Sequence, residues 1–242
     1  MMNAVGLSNP GIEIGKKEIE KFKKICNAPL IGSIFSFKTS GFKDLAEKIS
    51  KVEPDLVEIN ISCPNVEDEA GTPFALDKDA AYKVTKSVKE NTKIPVIVKL
   101  SPNSLDIKKI AGACEKAGAD AINMGNTLGP GLLIDIDTAK PILANKFGGI
   151  SGPAIKPITL KRVWDIYETV DIPIIGTGGI TTGKDAIQYI MAGASAVGLG
   201  TAVYYRGIDV FNKINKEIEV FMENQGYESI REMIGLAHKN SN

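Results

Sequence analysis

Short runs of apolar residues recur along this chain, and each is followed by a stretch whose apolar residues return at helical spacing. The runs are Leu30 to Phe35, Leu56 to Ile61, Val96 to Leu100, Ala121 to Met124, Ile174 to Gly176 and Ala196 to Leu199. They are too short for helices, and most are apolar at consecutive positions, as strands are when both faces are covered. Between them, Lys16 to Cys26, Asp77 to Glu90, Ser104 to Ala117, Ile155 to Thr169 and Thr182 to Met191 each carry one apolar face. A last such stretch runs from about Val210 to Glu223. Strands that alternate with helices predict a parallel sheet.

Two weak internal repeats narrow the architecture. Ala117-Gly118-Ala119-Asp120-Ala121 resembles Ala192-Gly193-Ala194-Ser195-Ala196, each a helix end with a glycine cap leading straight into a strand. Ile94-Pro95-Val96-Ile97 resembles Ile172-Pro173-Ile174-Ile175 at the start of a strand. Repeated βα units of this kind suggest a (β/α)8 TIM barrel more than a Rossmann sheet. The expectation is an α/β chain forming a single barrel domain over residues 1–242, although only about six of the eight strands are found. The shortfall lies at the front, where Met1 to Leu7 reads as a loop running directly into a helix. Three explanations stand: a miscalled start of a longer protein, an inactive fragment or degenerate copy, or missing strands supplied by another polypeptide. The one long insertion, 127–145, is rich in glycine and aliphatic residues and is expected to form a lid or a small hairpin.

Composition excludes several classes. The 29 basic and 29 acidic residues cancel, so no net field favours nucleic acid or an anionic membrane. Any phosphate binding must come from local geometry. Cys26, Cys63 and Cys114 form neither a disulfide framework nor a CxxC zinc pair, which points to a reducing, cytoplasmic compartment. No metal site is expected. No run approaches a membrane span, and the N-terminus lacks the regions of a signal peptide. The single histidine, His238, is expected at the surface and is a poor candidate for acid–base work.

In parallel βα folds, chemistry sits at the C-terminal ends of strands. Asn60-Ile61-Ser62-Cys63-Pro64-Asn65 ends one strand with four polar side chains, and Pro64 stiffens the turn that holds Cys63. That setting makes Cys63 a candidate reactive thiol, with a packed thiol as the alternative. Cys26 and Cys114 read as packed thiols. Val96 to Leu100 places Lys99 within an apolar strand, on the face of Ile97. An ammonium there either meets an anionic or electron-accepting group or snorkels to solvent. Asn123 to Thr127 ends another strand with amides and a hydroxyl, of which Asn126 and Thr127 suit a polar ligand while Asn123 equally suits a strand cap. Ile175 to Ile180 and Val197 to Ala202 are consecutive glycine-rich strand ends, which let backbone N–H groups approach a phosphate, aided by the following helix N-termini. Plain tight turns are the alternative.

Together these pieces resemble the class 1 dihydroorotate dehydrogenases over nearly the whole chain. The resemblance is carried by Asn3 to Leu7, Glu58 to Asn65, Val98-Lys99-Leu100-Ser101-Pro102, Asn126-Thr127-Leu128, Pro141 to Asn145, Gly149 to Pro157 and both glycine-rich strand ends. The Asn-Thr pair and the Pro-Ile-Leu-Ala-Asn segment look like the NAD-linked subclass, which works with a separate iron–sulfur flavoprotein subunit carrying FAD. The resemblance implies an FMN enzyme that oxidises dihydroorotate to orotate in pyrimidine biosynthesis, with Cys63 standing where the family's active-site base stands and where class 2 members use serine. Asn60, Asn126 and Thr127 would hold the substrate, and Asn3, Ala4, Val5, Gly6 and Leu7 would close the pocket. Lys99 would sit beside the flavin ring, Ser33, Asn60, Gly125 and Gly152 would contact it, and Gly178, Gly179, Gly200 and Thr201 would bind its phosphate. A homodimer core is implied as well.

Two departures from the family pattern stand out. Relatives begin with two further βα units that carry a small-residue strand end under the flavin and a Lys-Thr pair, and this chain has neither. Ser33 stands where many relatives have a flavin-contacting Asn. Rival readings are a related FMN barrel oxidoreductase acting on another dihydropyrimidine or on dihydrouridine, a flavin-free phosphate-binding barrel, and an inactive fragment that only binds a partner.

Overall fold

A computed structural model describes residues 1–62, 74 and 76–241. The chain runs through β1 (Met2–Asn3), α1 (Ile12–Ile25), β2 (Ile31–Ile34), α2 (Thr39–Ser50), β3 (Leu56–Asn60), α3 (Lys78–Lys89), β4 (Val96–Leu100), α4 (Ile107–Lys116) and β5 (Ala121–Met124). It continues through β6 (Leu128–Gly131), β7 (Ile134–Asp135), β8 (Lys140–Pro141), β9 (Gly148–Ile150), a 3-10 turn at Pro153–Ile155 and α5 (Lys156–Tyr167). Then follow β10 (Ile174–Thr177), α6 (Gly183–Met191), β11 (Ala196–Gly198), α7 (Ala202–Arg206), α8 (Val210–Gln225), α9 (Ile230–Met233) and α10 (Leu236–Lys239). All six expected strands are present, each within about a residue or two of its expected bounds. The chain divides into two compact units, Gly6–Ile122 and Met1–Val5 with Asn123–Asn242.

In the first unit, β2, β3 and β4 pair in parallel, with Ser33 opposite Glu58, Ile59 opposite Val98 and Asn60 opposite Lys99. Val57, Ile59, Val96, Ile97, Val98 and Leu100 are buried, so β3 and β4 are covered on both faces. Helix α2 is absent from the expected elements. It buries Phe42, Ala46 and Ile49 at positions i, i+4 and i+7, and Phe42 meets Phe74 edge to face at 5.8 Å. Asp77 caps α3 by accepting from the Asp79 and Ala80 amides. Helix α1, by contrast, buries none of its residues. Cys26 follows it as an exposed, extended cap, so the expectation of a packed thiol is corrected there. Cys114 is the packed thiol, and burial pushes it up to about 12.

An aspartate device fixes the strand starts of this unit. The Asp55 carboxylate accepts from the Leu30 amide at 2.7 Å while its own amide donates to the Leu30 carbonyl at 3.0 Å. Asp120 repeats this with Val96, at 2.6 and 2.9 Å, and also accepts from Lys89 at 2.6 Å. The repeated Ala-Gly-Ala segments thus have a physical basis. Gly118 and Gly193 both take left-handed φ values, 94° and 115°, to turn the chain from helix into strand.

In the second unit, β9 lies between β1 and β6 in an antiparallel sheet, with Asn3 opposite Gly149 and Leu128 opposite Ile150. Met2–Asn3 is therefore a strand rather than a loop. Its partner lies some 146 residues away, beyond the reach of a local pattern. A side chain at Gly148 would collide with the Asn3 carbonyl, and one at Gly149 with Thr127. Strands β7 and β8 form an antiparallel hairpin, Ile134 opposite Pro141, within the 127–145 insertion. Strands β10 and β11 pair in parallel, with Thr177 opposite Gly198. Helix α6 buries Ala186, Ile187, Tyr189 and Ile190, and α8 buries Val210, Ile214 and Ile218.

His238 is half-buried rather than freely exposed. It stacks on Trp164 with ring centroids 3.5 Å apart and meets the Ala192 carbonyl oxygen at 3.1 Å. The apolar indole face supplies the packing that the sequence around His238 does not reveal. No helix among the described residues is long and apolar enough to cross a membrane.

Asp120→Ala removes the acceptor for the Val96 amide and the partner of Lys89. We expect it to lower unfolding free energy by about 1–2 kcal/mol, read from the urea midpoint. Asn at the same position should recover part of the loss, since its amide oxygen still accepts.

Candidate functional site

Polar groups in the first unit gather at the C-terminal ends of β2, β3 and β4. Parallel pairing places Asn60 directly opposite Lys99, which the local sequence does not show. The Asn60 side-chain oxygen accepts from the Ser62 amide at 3.2 Å and from the Ser62 hydroxyl at 2.7 Å. Its amide nitrogen has no hydrogen-bond partner among the described residues. Lys99 is half-buried between the buried Val98 and Leu100 and has no ion-pair partner among the described residues. Such a cation, held at a strand end, suits an anionic or electron-rich ligand. Ser33 is less available than expected, because its hydroxyl donates to the buried Glu58 carboxylate at 2.8 Å. Gly6 takes φ 73° and Leu7 is half-buried. Cys63, Pro64 and Asn65 lie outside the described residues.

In the second unit, the sheet around β9 collects Asn3, Asn126 and Thr127. The Asn3 amide donates to the Ser151 hydroxyl at 3.0 Å, the Asn126 side-chain oxygen accepts from the Thr127 amide at 2.8 Å, and Thr127 lies against Gly149. Ala4 and Val5 are exposed. The glycine segments meet nearby. A Cβ on Gly152 would lie 3.3 Å from the Tyr205 hydroxyl and 3.6 Å from the Thr201 hydroxyl. A Cβ on Gly179 would lie 2.6 Å from the Gly152 carbonyl oxygen and 3.0 Å from the Lys156 amide. Gly152, Gly178 and Gly179 have φ values of 91°, 146° and 70°. Glycine is required here by backbone conformation and by close approach together. Gly125 is buried against the Thr177 carbonyl, with its Cβ position 3.1 Å from that oxygen, whereas Gly200 faces open space. Asn123 accepts from the Thr177 hydroxyl at 3.0 Å, the structural one of its two readings.

The expected help from the following helix N-terminus is largely absent at α6. One Asp185 carboxylate oxygen takes the Thr181 and Thr182 amides and hydroxyls at 2.9–3.0 Å, and the Glu217 carboxylate takes the Gly183 amide at 2.5 Å. Thr182 and Asp185 form a capping box. The other Asp185 oxygen pairs with Lys156 at 2.5 Å, and Arg206 pairs with Glu217 at 2.6 Å. The Thr181, Thr182 and Gly183 amides and the cations of Lys156 and Arg206 are thus spent within the protein. An anion would be held by the glycine-turn amides and the hydroxyls beside them. Burial alone would raise the Asp185 carboxyl, but Lys156, Thr181 and Thr182 together outweigh it and hold it well below its ordinary value. The Arg206 guanidinium and the Gly183 amide likewise lower Glu217.

Local pattern reading missed Thr159, Asp185 and Tyr189. Two signals are present: the three-residue spacing from Thr182 to Asp185 matches a capping box, and Gly176 interrupts a strand where another group packs closely.

A family model described as dihydroorotate dehydrogenase matches residues 1–222. The chain is 44% identical over 238 residues to the catalytic subunit of dihydroorotate dehydrogenase B (NAD(+)) of Methanothermobacter thermautotrophicus, covering 98% of this chain and 78% of that one. It is 47% identical to the proteins of the same name from Methanocaldococcus jannaschii, over 241 residues, and Pyrococcus furiosus, over 239 residues, covering 98% and 99% of this chain and 78% of each relative. Among solved structures, the dihydroorotate dehydrogenase of Eimeria tenella in complex with ferulenol superposes with a TM-score of 0.80 at 22% identity, covering 98% of this chain and 71% of that one. That likeness shows a shared α/β-barrel fold.

Asp185 sets a pH signature. Its folded pKa lies below its unfolded value, so its stabilisation is complete above about pH 4 and is lost as pH falls toward the lower folded value. Asp185→Asn should lower the melting temperature by several degrees at neutral pH. The gap between variant and wild type should close on acidification, as read by thermal melts across that range.

Proposed function

This chain belongs to the dihydroorotate dehydrogenase family, an oxidoreductase family of pyrimidine biosynthesis, and from that premise we propose that it oxidises dihydroorotate to orotate with FMN as the hydride acceptor. The observation that carries the reading is its match, across nearly its whole length, to relatives named catalytic subunits of the NAD-linked enzyme. The same names support a partner subunit, which we assign to an iron–sulfur, FAD-bearing protein that passes electrons to NAD. We also assign a homodimeric core.

The residues present fit a flavin phosphate. Gly152, Gly178, Gly179, Gly200 and Thr201 supply a cradle with little side-chain bulk, and Thr201 adds a hydroxyl. Backbone and hydroxyl donors suit a phosphate without requiring net positive charge. Bound FMN would supply the two-electron acceptor. Lys99 would place positive charge beside the electron-rich ring, and Ser33, Asn60, Gly125 and Gly152 would contact it. Asn60, Asn126 and Thr127 would hold the substrate's carboxylate and ring amides, with Asn3, Ala4, Val5, Gly6 and Leu7 closing over it. The 127–145 hairpin would serve as a lid. Cys63, as the thiolate, would take the proton from the carbon next to the one that gives up hydride. A thiol is more readily tuned toward neutral pH than a hydroxyl.

Anaerobic mixing of the FMN-loaded protein with dihydroorotate should bleach the flavin's visible absorbance, while dihydrouracil should not. Bleaching by dihydrouracil alone would move the assignment to another dihydropyrimidine. Cys63→Ser should slow flavin reduction by about 100-fold or more and leave FMN bound; an unchanged rate would remove Cys63 as the base.

A further inference from the structure

The glycine turn after β10 rests on a buried polar cluster. Tyr189 projects from the core face of α6 and is fully enclosed. Its hydroxyl donates to the Gly178 carbonyl at 2.6 Å and hydrogen-bonds the hydroxyl of Thr159 on α5. Thr159 is also fully buried and lies 3.1 Å from the Ile155 carbonyl oxygen. The Tyr189 ring underlies β10: a Cβ on Gly176 would sit 2.5 Å from ring carbon Cδ1. Burial pushes the phenol up to about 12, so it remains a proton donor at neutral pH.

Geometry then dictates where the turn's amide points. A trans peptide group is planar, so the Gly178 carbonyl and the Gly179 N–H face opposite ways. Drawing the carbonyl oxygen onto the buried hydroxyls aims the Gly179 N–H away from them. No partner for that N–H is found among the described residues, although Gly179 is buried and a buried amide ordinarily has one. Gly178 at φ 146° and Gly179 at φ 70° have many other conformations open to them, so the turn needs an external constraint. The two hydroxyls supply it.

We propose that Tyr189 and Thr159 are positioning residues for a phosphate monoester: they fix, from behind, the turn whose outward amide receives it. The inference rests on the reading of this turn as the FMN phosphate site. FMN and riboflavin differ only by that phosphate, which makes a direct test. Each is titrated into flavin-free wild type, Tyr189→Phe, Thr159→Val and Thr159→Ser, with quenching of flavin fluorescence giving Kd. Tyr189→Phe and Thr159→Val should weaken FMN binding by about tenfold and leave riboflavin binding unchanged, and Thr159→Ser should bind as wild type does. An unchanged FMN affinity in the first two variants, or an equal loss for riboflavin, overturns the inference. If Tyr189→Phe does not fold, Thr159→Val decides the matter from the other side of the same hydrogen bond. If that variant is also unstable, hydrogen exchange in wild type decides: added FMN should protect the Gly179 amide and riboflavin should not, and equal protection overturns the inference. Wild type that binds riboflavin as tightly as FMN fails in a different way, removing the phosphate site itself.

Discussion

A strand buried on both faces can carry unmatched polar side chains only where it ends. That constraint governs β3 and β4, whose Val57, Ile59, Val96, Ile97 and Val98 are enclosed. Polar groups inside such strands would have to be matched or expelled, and Glu58 is matched by the Ser33 hydroxyl. Asn60 and Lys99 come at the ends, and parallel register sets them opposite each other. The aspartates at 55 and 120 fix the other ends of the same strands by tying each start to its neighbour. Apolar burial thus sets the strand direction, and the directional hydrogen bonds set the register.

In the proposed reading, the second unit would hold an anion through conformation more than through charge. Lys156 and Arg206 are each engaged with a carboxylate, and the Thr182 and Gly183 amides at the start of α6 are already satisfied. What is left for a ligand is a set of glycine backbones and hydroxyls held in place by neighbouring side chains. This agrees with a chain whose acidic and basic residues balance at 29 each. An anion site of this kind depends on the accuracy of backbone placement, and less on salt, than one built from exposed lysines.

Local patterns made much of this legible and failed for identifiable reasons. Consecutive apolar residues located β3, β4 and β5 closely, because burial on both faces leaves a direct mark in the sequence. The short strand Met2–Asn3 left none, since its partner lies far along the chain. Helix α2 has Phe42, Ala46 and Ile49 at regular spacing, but Thr39-Ser40-Gly41 ahead of them reads as a turn. Tyr189 occupies an ordinary core position of an amphipathic helix, and periodicity cannot reveal that its hydroxyl meets a glycine carbonyl eleven residues earlier. Cys26 and His238 go the other way: local pattern gives thiol and imidazole the environments common for their types, whereas tertiary packing exposes the first and half-buries the second. The glycine pairs were legible because left-handed turns leave few alternatives to glycine.

The stacked Trp164 and His238 are the only tryptophan and the only histidine in the chain. The indole's emission therefore comes from a single place, and the one imidazole ring lies directly upon it. Intrinsic fluorescence becomes a site-specific optical gauge of whether the carboxy-terminal segment is seated on α5, with no label attached and no competing chromophore of the same kind to subtract.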